Sequence, residues 1–164
     1  MITGKSNLEF AQDILRCGKL QYAHYSDTEV FPLASYGEFF PSVLKDPHAM
    51  IKHQPELRET LQNLRSRNMR LFLGTNSHIE YMNVIMSTTL GPGWKELFDL
   101  QLSFCHKPGF FRYPDRPFYS VDPTTKTMRG PPITNGADLK LGNAYLEGNA
   151  TVANQFYQKM LGKE

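Results

Sequence analysis

The amino-acid sequence predicts an α/β protein with a parallel β-sheet. An amphipathic helical pattern at residues 55–68 puts Leu57, Leu61 and Leu64 on one face. An apolar strand at Met69 to Gly74 follows with hardly a connection, and a second helical pattern then leads to the alternating segment "LFDLQLSFC". The order helix, strand, helix, strand contains a βαβ unit, and such units build parallel sheets.

The part of the chain before this unit is predicted to be less regular. The segment from Ser6 to Glu9 has the form of a capping box, so we expect a helix that runs from there to about Cys17. Residues 19–54 combine aromatic side chains with three prolines, a composition typical of irregular structure with short helical turns. We therefore expect a loop-rich flank in residues 1–54 and a folded core in residues 55–164.

The two central elements of the core are bounded by turn-forming residues. The helix after Gly74 should end at the "GPG" of residues 91–93, which breaks a helix. Its inner face is expected to carry Ile79, Met82, Ile85 and Met86. In the strand that follows, apolar side chains alternate with the polar residues Asp99, Gln101 and Ser103.

The last third of the chain is dominated by proline. Residues 107–142 hold six prolines, which predicts a long loop with one short hairpin near Lys126 to Arg129. A last helix is expected to open at Asn149 and to meet Gly162 as its C-terminal cap. This region therefore adds a loop and one helix to the predicted core.

Composition and charge exclude several classes of protein. The chain of 164 residues has a formal net charge of +2 and no run of five like charges, so neither nucleic acid nor a membrane surface is indicated as a partner. No run of 18 apolar residues and no signal peptide is found, and we expect a cytoplasmic protein. Cys17 and Cys105 lie far apart and predict neither a disulfide framework nor a zinc site.

Polar residues follow both predicted strands of the βαβ unit. Thr75, Asn76 and Ser77 come after the first strand, and Lys107 comes after the second. Ligands of parallel sheets gather at the carboxyl ends of the strands, where hydroxyls, amides and an ammonium group suit a phosphate. A simpler alternative is that Ser77 or Asn76 only caps the helix that begins here. The residues alone leave both interpretations open.

Several motifs together give a family resemblance. The segments "LFLGTNSHIEYMNVIMSTTLG", "CHKPGFF", "RPF" and "GNA" resemble the cytosolic purine 5′-nucleotidase family of the haloacid dehalogenase-like (HAD-like) superfamily. The resemblance is dense from about Pro55 to Gly162. It implies a Rossmann-type, three-layer core with a cap, of which residues 1–54 would be a part. It also implies Mg²⁺-dependent dephosphorylation of a nucleoside monophosphate or another phosphomonoester.

The resemblance assigns roles to the residues at the strand ends. Thr75 resembles the second-motif hydroxyl that holds the transferring phosphoryl group, and Asn76 and Ser77 would complete this phosphate-binding cradle. Lys107 resembles the third-motif lysine, which offsets charge on the phosphoryl oxygens. Thr75 and Lys107 are therefore the expected catalytic residues.

The sequence also departs from the family pattern. It contains no Asp-x-Asp, the first motif that supplies the nucleophile, and no fourth motif with its magnesium ligands. The carboxylates that could replace these aspartates are those of Asp27, Glu29 and Asp99. Asp27 and Glu29 are predicted to lie in the flank, and Asp99 at the start of a strand, which is the wrong end of the sheet for this chemistry. We therefore expect an incomplete HAD-like core, a fragment that is inactive by itself and binds no Mg²⁺ tightly. The alternative is a non-catalytic HAD-fold protein with a binding or scaffolding role. His78 and His106 flank the expected pocket, either as assisting groups or as a polar rim.

Overall fold

A computed structural model describes residues 6–21, 25–26, 29–30, 39–122 and 128–162. The chain divides into two compact units, residues 1–51 and residues 52–164. None of the helices within the described ranges is long and apolar enough to cross a membrane.

The first unit contains short elements after one longer helix. They are α1 (Asn7–Gln21), the antiparallel pair β1 (Tyr25–Ser26) and β2 (Glu29–Val30), α2 (Phe39–Lys45) and α3 (Pro47–Met50). The predicted capping box is confirmed, because the Glu9 carboxylate accepts from the backbone N–H of Ser6 at 2.8 Å and the Ser6 hydroxyl accepts from the N–H of Glu9 at 3.3 Å. The expected end near Cys17 is wrong, since the helix runs on to Gln21. One glycine inside a helix costs only about 1 kcal/mol, so Gly18 does not stop it.

The second unit opens with the predicted βαβ arrangement. Its elements are α4 (Pro55–Ser66), β3 (Phe72–Gly74), α5 (Ile79–Leu90), a first 3₁₀ helix (Trp94–Leu97) and β4 (Leu100–Ser103). β3 and β4 run parallel, with Gly74 opposite Leu102. Pro55 is the first residue of α4, a position where its missing N–H costs nothing. The predicted α/β class is thus confirmed.

The chain then completes a five-stranded mixed sheet. The remaining elements are α6 (Gly109–Arg112), β5 (Phe118–Val121), β6 (Met128–Ile133), a second 3₁₀ helix (Gly136–Asp138), β7 (Ala144–Glu147) and α7 (Ala150–Met160). The strand order is β3-β4-β7-β5-β6. β7 runs parallel to β4, whereas β5 runs antiparallel to both β7 and β6. The sheet therefore has a parallel core that continues into an antiparallel hairpin.

The prediction of a long loop at residues 107–142 is wrong, because this segment contains α6, β5, β6 and the second 3₁₀ helix. β5 and β6 form a hairpin that belongs to the sheet, and its connection, residues 123–127, lies outside the described residues, as does Lys126 of the predicted hairpin. Pro131 and Pro132 are tolerated because β6 is an outer strand of the sheet that the described residues form, and because they lie where the pairing of β6 with β5 is irregular, between the pairs Phe118–Ile133 and Ser120–Arg129. β7 was also not predicted.

Two apolar clusters cover the two faces of the sheet. Tyr145 packs in one cluster and its neighbour Ala144 packs against the other, and successive strand residues point to opposite faces. The first cluster joins α7 to the sheet and is centred on Leu100, Leu102, Phe118, Val152 and Phe156. The second contains residues of α5 and of the first 3₁₀ helix, among them Ile79, Met82, Leu90, Trp94 and Leu97. This is the expected three-layer, Rossmann-like arrangement.

Candidate functional site

The ends of β3 and β4 lie side by side at the carboxyl edge of the sheet. The strand pairing continues past the last strand residues, because the N–H of Thr75 donates to the carbonyl of Leu102 at 2.9 Å and the N–H of Cys105 donates to the carbonyl of Thr75 at 3.0 Å. The segments that carry the predicted site residues are therefore held together by backbone hydrogen bonds.

The turn after β3 folds around the hydroxyl of Thr75. This hydroxyl accepts a hydrogen bond from the N–H of Ser77 at 3.0 Å, an arrangement that serine and threonine often stabilise in turns. The carbonyl of Ser77 accepts from the N–H of Phe104 at 2.9 Å, which again connects this turn to the end of β4. Because the Thr75 oxygen acts as an acceptor here, its own O–H remains available as a donor.

Lys107 reaches back to the end of β3. Its ammonium group donates to the carbonyl of Gly74 at 2.8 Å. Its backbone N–H donates to Oδ1 of Asn76 at 2.6 Å, and its carbonyl accepts from Nδ2 of Asn76 at 3.1 Å. The structure therefore brings Thr75, Asn76, Ser77 and Lys107 together at one edge of the sheet, although their roles towards a ligand stay predictions.

The alternative in which Ser77 or Asn76 caps α5 is wrong. The N-cap residue is His78, and its side chain makes no capping hydrogen bond. The Asn76 amide is instead bonded to Lys107, and the Thr75 hydroxyl accepts from Ser77. The first turn of α5 contains Glu80, whose negative charge complements the helix dipole and opposes a bound anion.

Backbone conformations that are unusual for side-chain-bearing residues occur at the same edge. Phe104 has a φ of 52°, His106 a φ of 50° and Glu147, at the end of β7, a φ of 59°. Such left-handed conformations cost about 1–2 kcal/mol for residues other than glycine and concentrate at functional sites. The rings of Phe104 and His78 stack with their centroids 4.6 Å apart. His106 Nε2 lies 3.7 Å from Glu147 Oε1.

Two charged residues of this edge were not predicted as part of the site. Glu147 ends a strand of four residues, which is too short to show alternation in the sequence. Arg116 donates to the carbonyl of Cys105 at 3.4 Å and so adds a second cation beside the loop of Lys107. The "RPF" motif in the sequence contains this arginine and was the only signal that pointed to it.

Among the residues that could replace the missing aspartates, the structure describes the side chain of Asp99 alone. Asp99 lies at the opposite end of β4, where it is 1% exposed. Asp27 lies outside the described residues, and so does the side chain of Glu29. Within the part of the chain that the structure describes, no three His, Cys, Asp or Glu side chains come together in a way that could hold a metal ion.

Comparison with known proteins identifies the family. The fold is that of α/β proteins with a parallel sheet, whose ligands gather outside the carboxyl ends of the strands. Residues 28–164 match the family model described as the 5' nucleotidase family. The match covers more than half of the chain, so this protein belongs to that family.

The relatives include proteins from several mammals. Human 5'-nucleotidase domain-containing protein 1 is 27% identical over 163 residues, which are 98% of this chain and 33% of that protein. The bovine protein of the same name is 29% identical over 130 residues, 77% of this chain and 27% of the relative. Human 5'-nucleotidase domain-containing protein 2 is 29% identical over 113 residues, 69% of this chain and 21% of the relative. The chain thus spans about a third or less of the length of these relatives.

Proposed function

We propose that this chain supplies the phosphate-binding part of a 5′-nucleotidase-like phosphohydrolase with a HAD-like core. The observation that carries the proposal is the position of Lys107, whose ammonium group lies at the end of β3, 2.8 Å from the carbonyl of Gly74. The hydroxyl-bearing turn of Thr75 and Ser77 begins at the next residue. An ammonium group and hydroxyls are donors that favour negatively charged phosphoryl oxygens.

Each donor has a distinct role in this proposal. Lys107 offsets the charge that develops on the phosphoryl oxygens, and the O–H of Thr75 fixes one of them by a hydrogen bond. Ser77 adds a second hydroxyl to the cradle, and Asn76 lies between the two hydroxyl-bearing residues. The substrate class we propose is a nucleoside monophosphate, because the names of the relatives refer to 5'-nucleotidase domains. The proposed location is the cytosol, where a free thiol such as that of Cys105 is common.

The Mg²⁺ of the parent family does not fit the described residues. Mg²⁺ binds through carboxylate and other oxygen ligands, whereas the donors gathered at the ends of β3 and β4 are an ammonium group, hydroxyls and amides. The carboxylate of Glu147 lies beside His106, which competes for it when protonated. The chemistry proposed for this chain is therefore to hold and orient a phosphoryl group.

The sequence also favours a second candidate function. Because it contains no Asp-x-Asp, the chain lacks the usual nucleophile of this chemistry. A phosphate-binding or scaffolding role without turnover is the second candidate. Both candidates predict that the purified chain does not hydrolyse nucleoside monophosphates with Mg²⁺ present, and turnover that is lost both on chelation and in Lys107→Ala would contradict both.

A titration with inorganic phosphate, followed by ¹H–¹⁵N NMR, tests the proposed site. We expect shifts at residues 74–78 and 104–107, with a dissociation constant in the millimolar range, which corresponds to about 4 kcal/mol. Thr75→Val and Lys107→Ala should each weaken binding at least about fivefold, because each removes one donor. Lys159→Ala, at an exposed lysine near the end of α7, is the matched control and should bind as the parent protein does.

The same titration can also contradict the proposed phosphate site. Chemical shift changes that spread over unrelated surface lysines would indicate non-specific attraction between charges. Changes that persist in both Thr75→Val and Lys107→Ala would mean the same, and either result would contradict the proposed site. Repeating the titration with a nucleoside monophosphate, and with the nucleoside alone, separates recognition of the phosphate from recognition of the base and sugar. The proposal requires that the nucleoside alone leaves the amides of residues 74–78 unshifted.

A further inference from the structure

Asn76 uses both ends of its side-chain amide on the backbone of one residue. Its Oδ1 accepts from the N–H of Lys107 at 2.6 Å, and its Nδ2 donates to the carbonyl of Lys107 at 3.1 Å. The orientation of the amide follows from chemistry, because only the oxygen can accept from a backbone N–H. The two residues are 31 positions apart in the sequence, so this contact joins the ends of two different strands.

We infer that Asn76 is a positioning residue that acts through Lys107, and that it is not itself a main contact of the anion. This inference rests on the proposed phosphate site and adds to it the residue that holds the lysine in place. The Asn76 oxygen and one of its two amide hydrogens are already engaged with Lys107. Thr75, Ser77 and the ammonium group of Lys107 are left as the direct donors.

The need for a positioning residue follows from the flexibility of lysine. A lysine side chain carries its ammonium group on a flexible stem of four carbons and loses much conformational freedom when that group is fixed. Lys107 also lies in a loop between β4 and the short helix α6, and it follows two residues with left-handed backbone, Phe104 and His106. The Asn76 amide fixes the backbone of Lys107, and the Gly74 carbonyl then fixes its ammonium group at 2.8 Å.

The turn itself allows Asn76 to be replaced without new strain. Its φ is not among the left-handed values of this chain, so alanine can take the same backbone conformation. The residue is exposed, so no cavity is created. The hydrogen bond from the N–H of Ser77 to the hydroxyl of Thr75 does not involve the Asn76 side chain and should persist in Asn76→Ala.

A double-mutant cycle with phosphate affinity as its readout tests this inference. Asn76→Ala should weaken phosphate binding about threefold to tenfold, because a lysine that is held in place less often contacts the anion less often. In the Lys107→Ala background the same change should have no further effect, since Asn76 then has no lysine to position. Ser77→Ala is the control at the neighbouring residue, and its effect should persist in that background because it removes a direct donor.

Two outcomes would overturn the inference. If Asn76→Ala weakens binding as much in the Lys107→Ala background as in the parent protein, Asn76 contacts the anion itself. If Asn76→Ala leaves the affinity of the parent protein unchanged, Lys107 needs no positioning. A denaturant titration of each variant shows whether the fold is retained, so that a loss of binding is not the result of unfolding.

A second measurement tests the positioning contact without any ligand, which separates it from the phosphate site. The amide hydrogen exchange of Lys107 should accelerate at least about fivefold in Asn76→Ala, because that N–H loses its acceptor. The N–H of Gly109, bonded to the carbonyl of His106, is the internal control and should keep its exchange rate. A parent protein that fails to bind phosphate would contradict the proposed function alone, whereas unchanged exchange at Lys107 would contradict the positioning role.

Discussion

Arg65 donates to the carboxylate of Asp99 at 3.2 Å, and this carboxylate is completely buried at the beginning of β4. The same carboxylate accepts from the backbone N–H of Leu71 at 2.8 Å, and Arg70 lies 3.7 Å from it. Asp99 thus joins the end of α4 to the beginnings of both parallel strands. A buried charge is tolerated only when it is paired and hydrogen-bonded, and here it has three partners.

Asp99→Ala should destabilise the protein strongly. The change leaves the N–H of Leu71 without its acceptor and removes the only carboxylate that Arg65 is seen to pair with among the described residues. We expect a loss of about 3 kcal/mol in the free energy of unfolding, measured by urea titration. Asp115→Ala, at an exposed aspartate, is the control and should change it by less than about 0.5 kcal/mol. Equal effects in the two variants would contradict a structural role for Asp99.

Gly148→Ala should also be strongly destabilising, because it combines backbone strain with a steric overlap. The same substitution at Gly142 measures the backbone strain alone. Gly148 has a φ of 87°, and a Cβ there would overlap the ring of Phe118, a fully buried residue. Gly142 has a φ of 78°, but a Cβ there would meet nothing within 4 Å. Gly142→Ala therefore reports backbone strain alone, about 1 kcal/mol, whereas Gly148→Ala should cost about 3 kcal/mol or more. Similar losses from the two changes in thermal or urea unfolding would show that the contact with Phe118 is unimportant.

The helical parts of the core could be predicted from the sequence because their signals are local. Pro55 and the spacing of apolar residues mark α4, and the "GPG" after Leu90 marks the end of α5. A hairpin near Lys126 to Arg129 was predicted, but not the length of β5 and β6 or their place in the sheet, because proline argues against a strand unless the strand lies at an edge. β7 was missed because four residues carry too little periodicity.

Burial could be predicted only in part. The apolar alternation at β4 is present, but the polar residues Gln101 and Ser103 in the strand and Asp99 just before it are 1% exposed or less. Both faces of a central parallel strand are covered by helices, so polar residues there are buried with their hydrogen-bond partners. The side chain of Gln101 illustrates this, as its amide donates to the carbonyl of Lys95 at 3.2 Å. No pattern in the sequence predicts this hydrogen bond to a carbonyl six residues away.

The proximity of the candidate site residues could be predicted, but not their contacts. Thr75 and Lys107 follow adjacent parallel strands, so topology alone puts them near each other. The bonds of Asn76 to the backbone of Lys107 depend on the shape of the loop after β4, which includes the left-handed backbone of Phe104 and His106. Neither residue type predicts that conformation, because it is set by tertiary contacts.

Phe72→Lys should reduce self-association of this chain. β3 is an outer strand of the sheet that the described residues form, and Phe72, its first residue, is 49% exposed. An exposed apolar edge strand can pair with a strand of another chain, and a lysine on the edge strand is a common protection against this. We therefore expect the parent chain to show dimers or larger species in sedimentation velocity at high concentration. The variant should shift towards monomer. Phe111→Lys, at another exposed phenylalanine on α6, is the control. If it has the same effect, general hydrophobicity and not the strand edge is responsible.

Cys105 should make the stability of the protein fall at alkaline pH. Burial raises the pKa of its thiol from the ordinary 9.0 to about 11, against smaller opposing effects that include the charges of Lys107 and Arg116. The folded state thus keeps its thiol proton where the unfolded state loses it. The stabilisation is fully present below pH 9 and is lost as the pH rises towards 11, with a total of up to about 3 kcal/mol.

Cys105→Ala isolates this contribution, since Cys17 and the tyrosines remain the same in both proteins. The free energy of unfolding is measured by urea titration at several pH values from 8 to 10.5. At pH 8 the parent should be the more stable, because the thiol fills the core and donates to the carbonyl of Leu102 at 3.4 Å. That advantage should shrink steadily above pH 9, because the unfolded parent chain, unlike the unfolded variant, gains free energy by ionising its thiol. An advantage that stays constant across this range would mean that the thiol titrates alike in the folded and unfolded states, so that its burial at the end of β4 does not disfavour the thiolate.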